Sequence, residues 1–176
     1  MADGGPSRKG ADASSVTLEV EIESHGDSWR DAVFNRGLIE QAARAAIRAA
    51  PALPRGTYQV TLVLTDDAEM RALNRTWRGK DAATNVLSFP THEKVKGPGL
   101  LGDVVIAFET TSKEARAQHI AFDNHVAHLV VHGVLHLIGL DHIADADAER
   151  MEAIERTVLA SLGIADPYAD DAEGPG

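Results

Sequence analysis

The chain has 176 residues, the size of one ordinary domain, and 44% of them are hydrophobic while 25% are charged. This composition supports a packed core and excludes wholesale disorder. The net charge of −10 excludes a protein that coats nucleic acid through bulk positive charge, although it permits a local basic patch. The absence of cysteine excludes disulfide scaffolds, cysteine-ligated zinc and iron–sulfur clusters, which leaves the eight histidines as candidates for metal or acid–base chemistry.

We expect one domain over residues 16–168 with a flexible tail at each end, because residues 1–15 and 169–176 are rich in glycine, alanine, serine and acidic residues. The N-terminus lacks the apolar segment of a signal peptide. The most hydrophobic stretch, residues 126–140, contains three histidines and is shorter than the roughly 20 residues that cross a bilayer. The sequence therefore predicts a cytoplasmic protein without a membrane partner.

In the first half of the domain, strand and helix patterns alternate. Polar and apolar residues alternate in the strand segments, and an alanine-rich amphipathic stretch ends before Pro51. Asp66, followed by Glu69 three residues later, is a pattern that starts a helix. The predicted elements are a strand over 17–23, a helix over 31–50, a strand over 58–64 and a helix over 66–76.

The second half contains two short strands followed by three helices. Thr111 and Glu114 resemble a capping box that opens a helix. The helix after it is apolar around most of its circumference, so it is expected to be a buried central helix that ends at Gly139. The predicted elements are strands over 85–89 and 104–108, a helix from Thr111, a helix over 122–137, and a helix from Asp145 that ends at Gly163. The order predicts an α+β domain with a small mixed sheet of about four strands and about five helices.

Two histidines on the buried helix have the spacing of a metal site. His132 and His136 differ by about 40° in azimuth and about 6 Å in rise on a helix, so both rings can contact one ion. Gly139 can adopt a left-handed conformation that turns the chain, which lets His142 supply a third nitrogen. Three neutral imidazoles with an open position are typical of catalytic zinc, and the H-x3-H-x2-G-x2-H spacing is that of metzincin-type sites. We therefore predict one Zn²⁺ per chain on His132, His136 and His142, with other divalent ions as alternatives.

The residues around this triad refine the prediction. His128 is a formal alternative ligand, but it lies about 12 Å from His136 along the helix axis, too far for one ion to bind both, so we expect it in the core or beside the ligands. Zinc proteases place a glutamate base directly after the first histidine, whereas this chain has Gly133. Asp141 is a weaker candidate base, because it equally serves to orient His142.

Three segments of the sequence resemble the YbeY family. Residues 132–142 (HGVLHLIGLDH) resemble its HGxLHLxGxDH signature. Residues 77–90 (WRGKDAATNVLSFP) resemble its YRxxDxxTNVLSFP segment, with Trp77 in place of tyrosine, and residues 101–106 (LGDVVI) resemble its LGDIVI strand. The resemblance covers roughly residues 16–168.

The resemblance implies a bacterial metal-dependent endoribonuclease, a hydrolase that cleaves phosphodiester bonds in single-stranded RNA. It implies a role in ribosomal RNA processing, at the 3′ end of the small-subunit RNA, and in ribosome biogenesis and quality control. It further implies zinc on the three histidines, a mixed sheet with surrounding helices, and a functionally important arginine at Arg78. The implied partners are single-stranded or ribosomal RNA and ribosomal or assembly proteins, with no DNA.

A basic segment gives the arginine a chemical role. Residues 71–96 carry six basic residues against two acidic ones. An arginine near a metal can bind the charge that develops on phosphate during RNA cleavage. We expect Arg78 to be this catalytic residue, while Arg71, Arg75 and Lys80 hold flanking phosphates or form ordinary charged surface.

The remaining polar residues are weaker candidates. Three either line an active-site cleft or serve as turn and strand residues: Thr84, Asn85 and Ser88. Asp103 is either close to the metal ligands or a structural acceptor. Four histidines are expected to be exposed or incidental: His25, His92, His119 and His125.

Two other classes of function remain open. One is a ribosome-assembly binding factor whose zinc is structural and whose hydrolytic activity is weak or absent, which the acidic surface favours. The other is a different metal-dependent hydrolase such as a metalloprotease, against which the missing glutamate argues. A catalytic zinc binds a small anion or chelating inhibitor at its open position, whereas a structural zinc does not.

Overall fold

The computed structural model describes residues 15–140 and 144–169. The strands are β1 (Val16–Ser24), β2 (Gly56–Thr65), β3 (Val86–Pro90) and β4 (Gly99–Ala107). The helices are α1 (Asp27–Asp31), α2 (Arg36–Ala49), α3 (Asp67–Arg78), α4 (Phe108–Ala117), α5 (Phe122–Leu137) and α6 (Asp145–Ser161). The predicted α+β class is confirmed, and the element order is as expected except for the additional short helix α1.

The four strands form one mixed sheet in the order β1-β2-β4-β3. The strands β1, β2 and β4 are parallel, and β3 pairs antiparallel to β4 at the edge, with Leu87 opposite Val105. Because side chains alternate along a strand, Val104 and Ile106 face one side of the sheet while Val105 faces the other. The sheet therefore presents two different surfaces to the helices.

One surface of the sheet carries the main core. The helices α2, α5 and α6 pack there, and α2 contributes Ile39, Ala43 and Ile47 on one stripe. The helix α5 is central, since it contacts α2, α4, α6 and the strands β3 and β4. Its bounds agree with the prediction, because a helix that is apolar on nearly all sides has to be surrounded by other elements.

The other surface is covered only in part. Met70 and Leu73 of α3 pack against Leu87 and Val105 in a smaller cluster, while the part of this surface that β1 provides is left exposed. Consequently α3, which carries Arg78, and α5, which carries the histidine pair, lie on opposite sides of the sheet.

Two predicted helix starts are wrong. The predicted helix over 31–50 begins at Arg36, because the Asn35 side chain accepts from the Leu38 amide and caps it there. The helix expected from Thr111 begins at Phe108, and the Glu114 side chain contacts other elements instead of the helix start. The strand expected from Val104 begins five residues earlier, because it pairs with β2 from Gly99 onward.

Among the helices of the described residues, none combines the length and the apolarity that a bilayer crossing requires. The predicted tails fall mostly outside the described residues, since 1–14 and 170–176 are not part of them.

Candidate metal centre and cleft

The helix α5 approaches the sheet closely at Gly133. A Cβ atom at this position would lie 2.5 Å from Val104 Cγ1, so no larger residue fits without displacing the buried Val104 side chain. The Ser88 hydroxyl of β3 donates a hydrogen bond of 2.9 Å to the Gly133 carbonyl oxygen. The glutamate that zinc proteases carry at this position is therefore excluded by packing of the helix on the sheet.

Next to this contact, two imidazoles converge on one point. The Nε2 atoms of His132 and His136 are 3.1 Å apart. Two nitrogens bound to one tetrahedral Zn²⁺ at 2.0–2.1 Å would be about 3.3 Å apart, so the pair fits two adjacent ligand positions. The predicted third ligand, His142, and the candidate base Asp141 lie outside the described residues. Within residues 15–140 and 144–169 alone, no group of three possible ligands forms.

A buried carboxylate fixes the orientation of the first ring. Glu155 of α6 is fully buried, and its Oε1 atom is 2.6 Å from His132 Nδ1. Since a carboxylate only accepts hydrogen bonds, we assign the proton of this ring to Nδ1, which leaves the Nε2 lone pair directed at His136. A carboxylate behind a metal-binding histidine is a common arrangement, because it fixes the tautomer and raises the basicity of the ligand.

Glu155 is itself held by a small polar network. The Tyr168 hydroxyl donates to Glu155 Oε2, and His128 Nε2 lies 3.4 Å from the same oxygen and 3.3 Å from the hydroxyl. Burial alone raises the pKa of Glu155, but hydrogen bonds from the two histidines and the tyrosine outweigh it and hold the pKa at about 2. The carboxyl is therefore charged at neutral pH. Burial and the charge of Glu155 raise the pKa of Tyr168, which stays a donor.

The network accounts for the positions of two residues, His128 and Glu155. His128 lies beside His132, as expected for a residue next to the predicted ligands, and contacts Glu155 and Tyr168 rather than His136. Glu155 was not singled out at all. A signal for it existed, since a lone acid lies among Met151, Val158 and Leu159 on the buried side of α6.

An open cleft of about 760 Å³ extends from this centre along α5. His132 and His128 line it at one end, and Asn85 and Glu114 line it at the other. His125 also lines it although its side chain is only 5% exposed. The prediction that His125 is exposed or incidental is therefore wrong, because this histidine faces the neighbouring helix α4 rather than solvent.

Of the two alternatives left open for Asn85, a place in the cleft wall and a turn before a strand, the structure shows both, because this residue lines the cleft and directly precedes β3. The other two residues of that set do not line the cleft. Ser88 contacts the helix backbone at Gly133, and Thr84 does not line the cleft. Asp103 lies on the exposed part of the opposite sheet surface, where partial burial and the charge of Glu23 raise its pKa.

Arg78 does not line this cleft. It is an exposed residue at the end of α3, and its neighbour Trp77 packs edge-on against Phe89 of β3 with ring centroids 6.3 Å apart. Ser88, the adjacent residue of β3, points to the other side of the sheet and binds Gly133. Arg78 and the histidine pair thus flank the same stretch of the edge strand β3 from opposite sides.

Arg71, for which a flanking-phosphate contact and an ordinary place on the charged surface were both open, forms an ion pair at the surface. Its guanidinium forms a two-point ion pair with Asp81, with distances of 2.7 and 2.8 Å. This pair fastens the loop over 79–85 to α3 and lowers the pKa of the Asp81 carboxyl through the hydrogen bond from Arg71. Arg71 is therefore a structural residue here rather than an open phosphate ligand.

The sequence is similar to those of known proteins over most of its length. The sequence model of the family described as Endoribonuclease YbeY matches residues 27–163. A protein of Azorhizobium caulinodans named Endoribonuclease YbeY is 48% identical over 160 residues, which cover 89% of this chain and 100% of that protein. This chain belongs to the YbeY family. A YbeY protein of Bradyrhizobium sp. strain BTAi1 is 46% identical over 160 residues, with 88% of this chain and 93% of that protein covered.

A solved structure supports the fold. The solution structure of TM1509 from Thermotoga maritima aligns with a TM-score of 0.52, and the alignment covers 90% of this chain and 99% of that one. The sequence identity is 22%, so this likeness concerns the fold alone.

Proposed function

We propose that this chain is a metal-dependent endoribonuclease that hydrolyses single-stranded ribosomal RNA. The observation that carries the proposal is the convergence of His132 and His136, with Nε2 atoms 3.1 Å apart, at the end of a cleft in a YbeY-family chain. The relatives named above are endoribonucleases by name, and a fold that places His132 in the wall of an open cleft supports the same activity here.

The residues proposed to hold the metal are His132, His136 and His142, and the proposed ion is Zn²⁺. When bound, such an ion polarises a phosphate oxygen or lowers the pKa of a bound water. Glu155 keeps His132 in the tautomer that can bind the ion, and its negative charge balances part of the ion's positive charge.

Arg78 is proposed as the catalytic arginine that binds a phosphate of the substrate. A strand of RNA that leaves the cleft over the edge strand β3 would meet the end of α3 on the other side. Arg75, Arg78 and Lys80 are exposed there, and none of the ion pairs found within the described residues involves them. A guanidinium at this position can hold a phosphate with two parallel hydrogen bonds and stabilise charge that develops during cleavage.

The biological setting is part of the same proposal. We place the activity in the cytoplasm, at the maturation of the 3′ end of small-subunit ribosomal RNA, and in ribosome biogenesis and quality control. Ribosomal or assembly proteins are the proposed protein partners. The alternative of a metalloprotease is disfavoured by the packing at Gly133, which leaves no room for the general base.

The first experiment compares cleavage of a structured RNA with single-stranded ends by the zinc-loaded protein and by His136→Ala. Wild type is expected to cut the single-stranded parts, and the variant is expected to lose both cleavage and zinc, because one of the ligands is gone. His92→Ala, which removes an exposed histidine outside the cleft, serves as the matched control and keeps both.

Equal cleavage by wild type and His136→Ala would trace the activity to a contaminant and overturn the proposal. Stoichiometric zinc without any cleavage would favour a ribosome-assembly factor with a structural metal.

A further inference from the structure

The cleft contains a second histidine–carboxylate pair that the proposed metal centre does not use. His125 Nε2 is 2.7 Å from Glu114 Oε2, and the amide of Asn85 donates to both oxygens of the same carboxylate at 3.0 and 3.2 Å. Three elements meet here, since Glu114 lies on α4, His125 on α5 and Asn85 directly before β3. All three residues line the cleft.

The donors that surround Glu114 hold its carboxylate in place. Glu114 accepts only, so we assign the proton of the His125 ring to Nε2, and the buried Nδ1 atom, which has no hydrogen-bond partner among the described residues, is then a bare lone pair. The carboxylate thus receives hydrogen bonds from an amide and an imidazole, and within the described residues it forms no ion pair with a lysine or an arginine.

The carboxylate retains capacity for a further ligand. Its side chain is 32% exposed, in contrast to the fully buried Glu155. Two carboxylate oxygens can accept about four hydrogen bonds, and the two donors of the cleft wall leave room for another. An exposed acceptor that neighbouring side chains hold in place can accept a hydrogen bond from a donor group of a substrate in the cleft.

The position along the cleft restricts which part of an RNA could reach Glu114. His125 and His132 are seven residues apart on α5, about 10 Å of helix rise, or about three stacked nucleotides along a single strand. A carboxylate repels phosphates, so its partner has to be a neutral donor. RNA offers two such donors, the ribose 2′-hydroxyl and the N–H groups of the bases.

We propose that Glu114 is a substrate-recognition residue that accepts a hydrogen bond from a 2′-hydroxyl or a base N–H of a nucleotide close to, but not at, the scissile phosphate. Asn85 and His125 are positioning residues that hold the carboxylate toward the cleft. This inference rests on the proposed endoribonuclease activity and assigns the metal centre no new role.

The test combines a protein variant with modified substrates. Glu114→Gln and wild type cleave a set of single-stranded RNA oligonucleotides that each carry one change. In one series, a single 2′-deoxy sugar is placed at each position in turn, except at the nucleotide 5′ of the cleaved bond. In the other series, a single base has its exocyclic amine replaced by hydrogen or its ring N–H replaced by N-methyl. Zinc content and the melting temperature are measured for each protein.

One modified position is expected to lower kcat/KM of wild type by about 10- to 100-fold, the range for a hydrogen bond to a charged group. Glu114→Gln is expected to lose a similar factor on unmodified RNA, and to show little further loss at that same modified position. A deoxy-sensitive position identifies the ribose as the donor, and a base-sensitive position identifies the base. Zinc content stays at the wild-type level, because Glu114 does not contact the histidine pair.

The proposal is overturned if every modification slows wild type and Glu114→Gln by equal factors, or if the variant cleaves unmodified RNA as wild type does. If Glu114→Gln does not fold, Asn85→Ala replaces it. Loss of the amide donor is expected to reduce the difference in kcat/KM between unmodified RNA and RNA modified at the sensitive position. Glu21→Gln, on the opposite surface of the sheet, is the matched control. Failure of the underlying activity is distinguishable, because wild type would then not cleave the unmodified RNA.

Discussion

Glu155 connects the last helix of the chain to the histidine pair of the central helix. Glu155 is a fully buried charge, and hydrogen bonds from two histidines and a tyrosine compensate it. Removing such a charge without replacing it leaves the donors unsatisfied in a dry environment. The role of Glu155 is therefore one of orientation, exerted through His132 rather than on a substrate.

We predict that Glu155→Gln weakens Zn²⁺ binding by about 10- to 100-fold, the usual effect of losing a carboxylate behind a metal-binding histidine. The amide keeps the shape of the side chain but no longer balances the charge of the ion. Competition with a chelating dye measures the affinity. Glu149→Gln, at an exposed position of the same helix, is the control, and an unchanged affinity in Glu155→Gln would contradict the assignment.

At the scale of elements, the short helix α1 shows how packing creates local structure. Five residues are too few for a stable isolated helix. Trp29 supplies the missing stability, because it is 1% exposed and its Nε1 donates to the Thr65 carbonyl oxygen at 2.8 Å. The rings of Phe34, Phe108 and Phe122 surround it with centroids 5.2 to 5.6 Å away. This cluster joins α1 to the starts of α4 and α5, the helices that form the cleft.

We predict that Trp29→Ala lowers the free energy of unfolding by about 3–5 kcal/mol, the cost of a large cavity in a packed core. Denaturant unfolding followed by circular dichroism measures the change. Trp77→Ala removes the same side chain from a position that is 68% exposed and is expected to cost far less. Equal losses in the two variants would show that the aromatic cluster does not hold α1 in place.

At the scale of the whole molecule, the acidic chain restricts where RNA can bind. Glu19, Glu21 and Glu23 are exposed along β1 on the uncovered part of the sheet, which disfavours a polyanion there. A group of exposed basic residues, Arg75, Arg78 and Lys80, lies near the end of α3, beside the edge strand β3. RNA is therefore expected to bind through few phosphate contacts, at β3 and the adjoining cleft.

We predict that the logarithm of the RNA-binding constant falls with the logarithm of salt concentration with a slope of about −2, as for three phosphate contacts of a single strand. Arg78→Ala should make the slope shallower by about 0.7 and, in the active protein, lower the cleavage rate by about 100-fold with zinc content unchanged. Binding is measured in the His136→Ala background, so that RNA is not consumed. Arg48→Ala on α2 is the control, and wild-type cleavage by Arg78→Ala would refute the proposed role.

Much of this protein follows from its sequence alone. Period-two and helical patterns predict the α+β class, the four strands and the bounds of α5. They do so because buried positions are hydrophobic, so the spacing of hydrophobic residues shows whether a segment is buried on one face or on all faces. The spacing of His132 and His136 predicts their convergence, since both lie on one helix whose geometry is regular. The motifs around them indicate the YbeY family for the same local reason.

Tertiary structure alone decided the relations between residues that are distant in the chain. Helix starts at Arg36 and Phe108 depend on caps and contacts that propensity does not contain. The partners of the histidines, Glu155 behind His132 and Glu114 behind His125, come from other helices, so no spacing within a motif reveals them. Whether a charged side chain lies in a cleft or on the far side of a sheet depends on how the helices pack around it, and that packing is a property of the whole fold.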